Sequence, residues 1–283
     1  MVKRAAVIND LSGLGKCSLT AAIPVLSVMG VQACPLPTAV LTCQTGYDSY
    51  YYDDYTEKID YFTEEWQKQG LTLDAVSTGF LGSEHQVAKI LRFIDAFRQD
   101  GTLLFVDPVM GDMGELYSIY TPGLGEKMHD LVLHADVITP NLTEFCLLTG
   151  TDYGLLTARS RYQDYLEQIA CAGKSLLEAG PHTVIVTGII YQSLEDPSPR
   201  YYNLVIDKCG YETISSEIHG GSYSGTGDLL SAVVCGSMVR GESAVDGVKK
   251  AVRFLDAALR ETVAENIPRN DGINFEPYLS MLL

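Results

Sequence analysis

At 283 residues with 46% hydrophobic content, the chain is long enough to bury a substantial core, and we expect a single α/β domain over residues 1–283. A formal charge of −16 argues against nucleic acid and anionic membrane surfaces as partners, since both require clustered Lys and Arg. The seven cysteines are scattered singly with no CxxC pair, which reads as buried or free thiols in a reducing cytoplasm.

The chain starts with charge at Lys3-Arg4 and then the apolar Ala5-Ala6-Val7-Ile8, a run that fits a first strand and is too short for a signal peptide. No later run is long enough to cross a membrane. Short β-like runs then alternate with amphipathic helical stretches, the pattern of a central, mostly parallel sheet with helices on both faces. Strands are predicted near 5–8, 32–36, 75–78, 103–106, 137–139 and 184–187. Helices are predicted near 18–29, 56–69, 84–98, 124–134, 143–149, 160–179, 227–240 and 243–265. A hairpin pairs 201–206 with 212–218 through a turn at Lys208-Cys209-Gly210.

In such folds ligands sit beyond the carboxyl ends of the parallel strands, so the residues there carry the functional reading. The first strand ends in Asn9-Asp10-Leu11-Ser12-Gly13-Leu14-Gly15-Lys16, which fails the Walker A pattern at Asp10 and Cys17. It reads as a pocket wall with Asp10 or Ser12 as hydrogen-bonding groups, or as a plain strand–helix turn. Thr42-Cys43-Gln44-Thr45-Gly46-Tyr47 precedes a tyrosine cluster over 50–55 that suits a flap over a flat ligand or a subunit interface. After the third strand, the glycines around Phe80 would let its ring lie against a planar ligand, and a core position is the alternative.

The fourth strand delivers Asp107-Pro108-Val109-Met110-Gly111-Asp112, two carboxylates on one loop and a fitting pair for magnesium, which binds few carboxylates and keeps waters. Thr139-Pro140-Asn141-Leu142-Thr143-Glu144 looks like a helix start, with Asn141 and Glu144 as outer ligands of a metal or its waters. Thr187 closes the sixth strand where it could touch a phosphate. Finally, Gly225-Thr226-Gly227-Asp228 opens an apolar helix. Glycines let backbone N–H groups converge and the helix dipole adds positive charge, which together seat an anion. Asp228, in the first turn, is placed to take a proton from an attacking hydroxyl. A Gly-rich turn with Asp228 merely satisfying the helix start is the alternative.

With those three motifs in that order, the chain resembles the ribokinase superfamily and, within it, the pyridoxal (vitamin B6) kinases, over nearly its whole length. The resemblance implies ATP-dependent phosphorylation of the hydroxymethyl group of pyridoxal, pyridoxine or pyridoxamine by a homodimer. It implies Asp228 as the catalytic base and Gly225, Thr226 and Gly227 as the anion hole. Asp107, Asp112, Asn141, Glu144 and Thr187 then form the ATP side, with Asp107 and Glu144 on Mg2+, and a monovalent cation is left open. The substrate end departs from that family. Asp10-Leu11-Ser12-Gly13 and Leu41-Thr42-Cys43-Gln44 are more similar to the hydroxymethylpyrimidine kinases of thiamine synthesis, which carry GTGC in place of Gly225-Thr226-Gly227-Asp228. The expected substrate contacts are Asp10, Ser12, Gln44, Thr45, Phe80 and Asp228, with a B6 vitamer expected first and hydroxymethylpyrimidine second. A non-catalytic vitamin or nucleotide carrier is the expectation from another class.

Overall fold

The structure is a computed structural model that describes residues 2–160, 164–192 and 198–283. The chain divides into two compact units, Met1–Phe105 with His219–Leu283, and Val106–Ile218. Its architecture is the expected α/β one, a mostly parallel sheet flanked by helices.

The first unit begins with β1 (Lys3–Ser12), α1 (Ser18–Val28), β2 (Val31–Leu41), β3 (Tyr52–Asp54) and a 3-10 turn (Thr56–Lys58). There follow α2 (Ile59–Lys68), β4 (Ala75–Thr78), α3 (Glu84–Phe97) and β5 (Leu103–Val106), whose last residue opens the second unit. The strands lie in the order β5-β4-β1-β2-β3. Because β1 pairs in parallel with both β2 and β4, Ala5, Ala6, Val7 and Ile8 are all buried. An interior strand covered on both faces reads as an unbroken apolar run rather than as alternation. β2 runs five residues past the expected end at Leu36, through Pro37 to Leu41. Pro35 and Pro37 share a parity, so the donors they lack fall on one side of the strand. Antiparallel β3, taken from the expected tyrosine flap, pairs with β2 only from Ala39 onward, beyond both prolines.

The second unit contains β6 (Gly111–Asp112), β7 (Glu115–Leu116), α4 (Pro122–His134), β8 (Val137–Ile138) and α5 (Leu142–Thr149). It continues with α6 (Tyr153–Thr157), α7 (Tyr165–Ala179), β9 (Thr183–Tyr191), β10 (Arg200–Asp207) and β11 (Gly210–Glu217), in the sheet order β11-β10-β9-β8. The helix expected over 160–179 starts at Tyr165, and residues 161–163 lie outside the described residues. β9 outruns the expected 184–187. It is parallel to β8 at Thr183 and Val184, then continues as the antiparallel partner of β10 as far as Tyr191.

The chain returns to the first unit with α8 (Thr226–Val239), α9 (Ala244–Ala264) and 3-10 turns at Arg269–Asp271 and Glu276–Leu282. Leu229 to Ser237 of α8 are all buried, and a helix without a polar stripe has to be enclosed by its neighbours. Those neighbours are α1 and α9. α9 buries Val248, Ala251, Val252, Leu255 and Ala258, one face at helical spacing. Among the described residues no helix is long and apolar enough to cross a membrane.

Candidate functional site

In the first unit, the site is built where β1 ends and two helices begin. Gly225 precedes α8 with φ +82°, and a Cβ there would lie 1.9 Å from the Lys16 carbonyl oxygen. Only glycine fits a left-handed position pressed against backbone in this way. A Cβ on Gly227 would meet nothing within 4 Å, so the space in front of the first turn of α8 is open. The Thr226 hydroxyl donates to the Tyr223 carbonyl at 3.1 Å and braces the preceding turn.

Asp228 stands at this opening, half-buried. Its Oδ1 accepts from Asn9 Nδ2 at 3.0 Å, and its carboxylate also takes the Ser18 N–H at the head of α1 and its own N–H. The carboxyl is pushed up to about 6, chiefly by burial; the Ser18 N–H opposes the rise and the Asp10 charge adds to it. The side chain keeps some open surface while protein crowds it on most sides. That combination suits a group that has to meet a ligand with few waters around it.

Asp10 and Ser12 lie beside it but are engaged with protein. The Asp10 carboxylate accepts from Ser12 Oγ at 2.7 Å and from Ser18 Oγ at 2.5 Å. Both residues are buried, and burial raises the Asp10 carboxyl despite the two hydroxyl donors. Ser18 itself takes φ 51°, unusual for a residue with a side chain, and its bond to Asp10 holds that turn.

Gln44 is likewise buried and used internally. Its Nε2 donates to Ser224 Oγ at 3.2 Å and to the Asn270 carbonyl at 3.1 Å, while its Oε1 accepts from Gly46 N at 2.7 Å. Asn270 Nδ2 answers with a 2.6 Å bond to the Gly46 carbonyl, and Tyr47 donates to Asp271 at 2.5 Å. The turn at Arg269–Asp271 thereby ties the 44–47 loop to the glycine stretch. Sequence reasoning missed it, because its partners lie over two hundred residues away and no local motif marks it. Thr45 is exposed on its turn. Phe80 is half-buried, its N–H donating to Asn9 Oδ1 at 2.9 Å and its carbonyl accepting from Thr38. Asn9, not among the expected site residues, touches Asp228, Asp10 and Phe80.

In the second unit, the expected helix start is a complete capping box. Asn141 Oδ1 accepts from the Thr143 and Glu144 N–H groups at 2.9 and 3.1 Å, and Glu144 Oε2 accepts from Asn141 N at 2.8 Å. The same two side chains also grip the neighbouring loop. Glu144 Oε1 accepts from Met110 N at 3.1 Å, and Asn141 Nδ2 donates to the Gly111 carbonyl at 2.7 Å. Glu144 is 2% exposed, and burial, followed by the Asp107 charge, holds its carboxyl well above the ordinary carboxylate range. Asp112 sits on β6, in a ribbon where a loop was expected, and accepts from Met113 N at 2.9 Å. Thr187 lies within β9 rather than at its end, half-buried, with its N–H on the Pro140 carbonyl at 2.9 Å.

Residues 17–272 match the model of the phosphomethylpyrimidine kinase family. A crystal structure of a candidate phosphomethylpyrimidine kinase from Bacteroides thetaiotaomicron, solved with pyridoxal, superimposes with a TM-score of 0.91 at 34% identity, over 100% of this chain and 96% of that one. Pyridoxal kinase from Lactobacillus plantarum gives a TM-score of 0.84 at 28% identity, over 100% and 97%. A curated pyridoxine/pyridoxal/pyridoxamine kinase from Bordetella avium is 30% identical over 204 residues, 70% of this chain and 64% of that protein. A pyridoxal kinase from Aliivibrio fischeri is 29% identical over 196 residues, 67% and 63%. The chain thus spans just under two thirds of the length of these curated relatives.

The ribokinase-like fold expected from the motifs is the fold of these structures. The narrower placement among the B6 kinases is corrected: the family model, and the structures at 34% and 35% identity, carry the phosphomethylpyrimidine kinase description. The physical reason lies in what each motif handles. Gly225 to Asp228 and Asp107 to Asp112 were read for phosphate and metal, an expectation common to kinases of any acceptor alcohol, whereas the segments around Asp10 and Gln44 resembled the pyrimidine branch. The chain belongs to the phosphomethylpyrimidine kinase family.

Proposed function

We propose that the chain transfers the terminal phosphoryl group of ATP to a hydroxymethyl- or phosphomethylpyrimidine. The kinase part of this reading rests on Asp228, a carboxyl raised to about 6 at the head of α8, directly after the Gly225-Thr226-Gly227 cradle, and the choice of acceptor rests on the family match over residues 17–272. At neutral pH such a group is ionised yet basic enough to accept a proton from an attacking oxygen. Thr226 and Gly227 supply N–H groups to the charge on the moving phosphoryl group, and fixed donors of this kind account for much of the rate in phosphoryl transfer.

On the second unit, Asp107 and Glu144 crowd each other's charge, and a divalent cation would offset that repulsion. Among the described residues no group of three or more His, Cys, Asp or Glu side chains is gathered to hold a metal. Magnesium is commonly held by one or two carboxylates, with waters and phosphate oxygens as its other ligands. Asp107 and Glu144 would hold it, with Asp112, Asn141 and Thr187 toward the nucleotide. When bound, the ion would neutralise phosphate charge.

The test compares kcat/KM for hydroxymethylpyrimidine, phosphomethylpyrimidine, pyridoxal, pyridoxine and pyridoxamine with ATP and magnesium. We expect the pyrimidines to be preferred. A preference for pyridoxal overturns the substrate assignment, and binding of a vitamer without turnover of any acceptor overturns the kinase assignment in favour of a carrier.

A further inference from the structure

Asn9 presents a side-chain amide whose orientation is fixed by its surroundings. Its Oδ1 receives the Asp10 N–H at 3.0 Å and the Phe80 N–H at 2.9 Å. Both partners can only donate, so the oxygen must face them and Nδ2 must face Asp228, which it reaches at 3.0 Å. Space fixes it as well. A Cβ on Gly79 would stand 2.4 Å from Nδ2, so the bare backbone of Gly79 is what lets the amide lie where it does. Asn9 is 6% exposed, and no bond rotation frees the donor without stranding two buried N–H groups.

We propose that Asn9 is a positioning residue for the transfer reaction, a locked donor that aims the Asp228 carboxylate and favours its ionised form. This rests on the reading of Asp228 as the base. The second outside donor, Ser18 N–H, comes from a turn that the buried Asp10 carboxylate holds through Ser18 Oγ, so Asp10 serves the base from behind rather than the ligand from in front. Asp10 on β1 is the titratable group whose charge acts on this carboxylate, and both carboxylates act in turn on Cys17 before α1. Cys17 is pushed up to about 12 by burial and by the two carboxylates, so it stays neutral throughout the working range.

Asn9→Asp tests the role with little change of shape. It keeps an oxygen for the Asp10 and Phe80 N–H groups and replaces the donor facing Asp228 with a second carboxyl, so the midpoint it gives belongs to the pair. We expect the acidic limb of kcat/KM against pH to rise, through the lost donor and the added like charge together. KM for the nucleotide should not change. A 13C titration of the side-chain carboxyls, assigned with Asp228→Asn and Asp10→Asn, reads the same midpoint without turnover. Asn9→Ser, which removes the donor without adding charge, isolates the hydrogen bond, and its midpoint should rise by about one to two pH units, the size of a charge-assisted hydrogen bond expressed as a pKa change. An unmoved Asp228 midpoint in the folded Asn9→Ser variant overturns the inference. Normal turnover by Asp228→Asn overturns the reading of the base itself, while an inactive Asp228→Asn beside an unmoved Asn9 variant overturns the positioning role alone.

Discussion

Replacing Gly225 by alanine should damage the fold, whereas the same change two residues on should damage only the chemistry. At Gly225 the new methyl group would stand 1.9 Å from the Lys16 carbonyl oxygen and 3.1 Å from the Cys17 Cα, contacts that require backbone to move. The residue must also hold φ +82°, which costs a residue with a side chain about 1–2 kcal/mol. Overpacking against atoms that cannot rotate away adds about 1–3 kcal/mol, for a total of roughly 2–5 kcal/mol. For a protein of this size that is a fall in Tm of roughly 5–15 °C. Gly227→Ala meets open space within the first turn of α8, where alanine is the better helix former by up to about 1 kcal/mol. Its methyl group instead occupies the opening before the first N–H groups, so turnover should fall about tenfold or more with Tm unchanged or slightly raised. Thermal melts and urea titrations of the two variants, run beside steady-state kinetics, separate the effects. A Gly225→Ala protein that melts within about 1 °C of the parent would refute the argument from the Lys16 contact.

Asp228→Asn should bind ATP normally and lose at least about a hundredfold in kcat, measured by nucleotide titration and initial rates. The parent enzyme should lose kcat/KM as pH falls through about 6, where Asp228 takes up a proton. The same shift has a stability consequence. A carboxyl raised from 3.8 to about 6 keeps a proton in the folded state that the unfolded chain has released between those values, so this group's contribution to stability declines as pH rises across that window. Urea titrations should therefore show Asp228→Asn to be more stable than the parent at pH 7, with the advantage lost below about pH 4. Gln44→Ala leaves Ser224, Gly46 and the Asn270 carbonyl without their partner and should cost about 1–3 kcal/mol in a urea titration. Asp107→Asn should raise the magnesium concentration needed for half-maximal rate, and an unchanged magnesium titration counts against its metal role.

The sequence carried the frame because β1, α8 and α9 announce themselves through unbroken or periodic apolar runs. The second unit was harder to read at its joints. β6 and β7 are two residues each, too short for any periodicity, and Thr187 was read as a strand end because it is polar and Gly188 follows it, whereas antiparallel pairing with β10 carries β9 on to Tyr191. The helix start before Asp228 was legible from its glycines, and Gly225 takes the left-handed position there. Asn9 was not, since an asparagine after a strand has no signature, and its meaning depends on a partner 219 positions away. Asp10 and Gln44 were read as facing a ligand because polar residues at strand ends usually do. Here neighbouring serines, and the turn after α9, occupy their hydrogen-bonding groups.

Since the first unit is drawn from both ends of the chain, its assembly has an order imposed by synthesis. β1 to β5 leave the ribosome well before α8 and the Arg269–Asp271 turn, separated from them by the about 110 residues of the second unit. At translation rates of about 5–20 residues per second the early strands wait roughly 5–20 seconds for the helix that covers α1. During that interval Leu19, Ala22 and Leu26 of α1 lack a cover that they have in the finished protein. Asn9, Gln44 and Tyr47 complete their bonds to residues 228, 270 and 271 only after the second unit has been made. The Asp228 carboxylate is therefore oriented by Asn9 only after the second unit has been made.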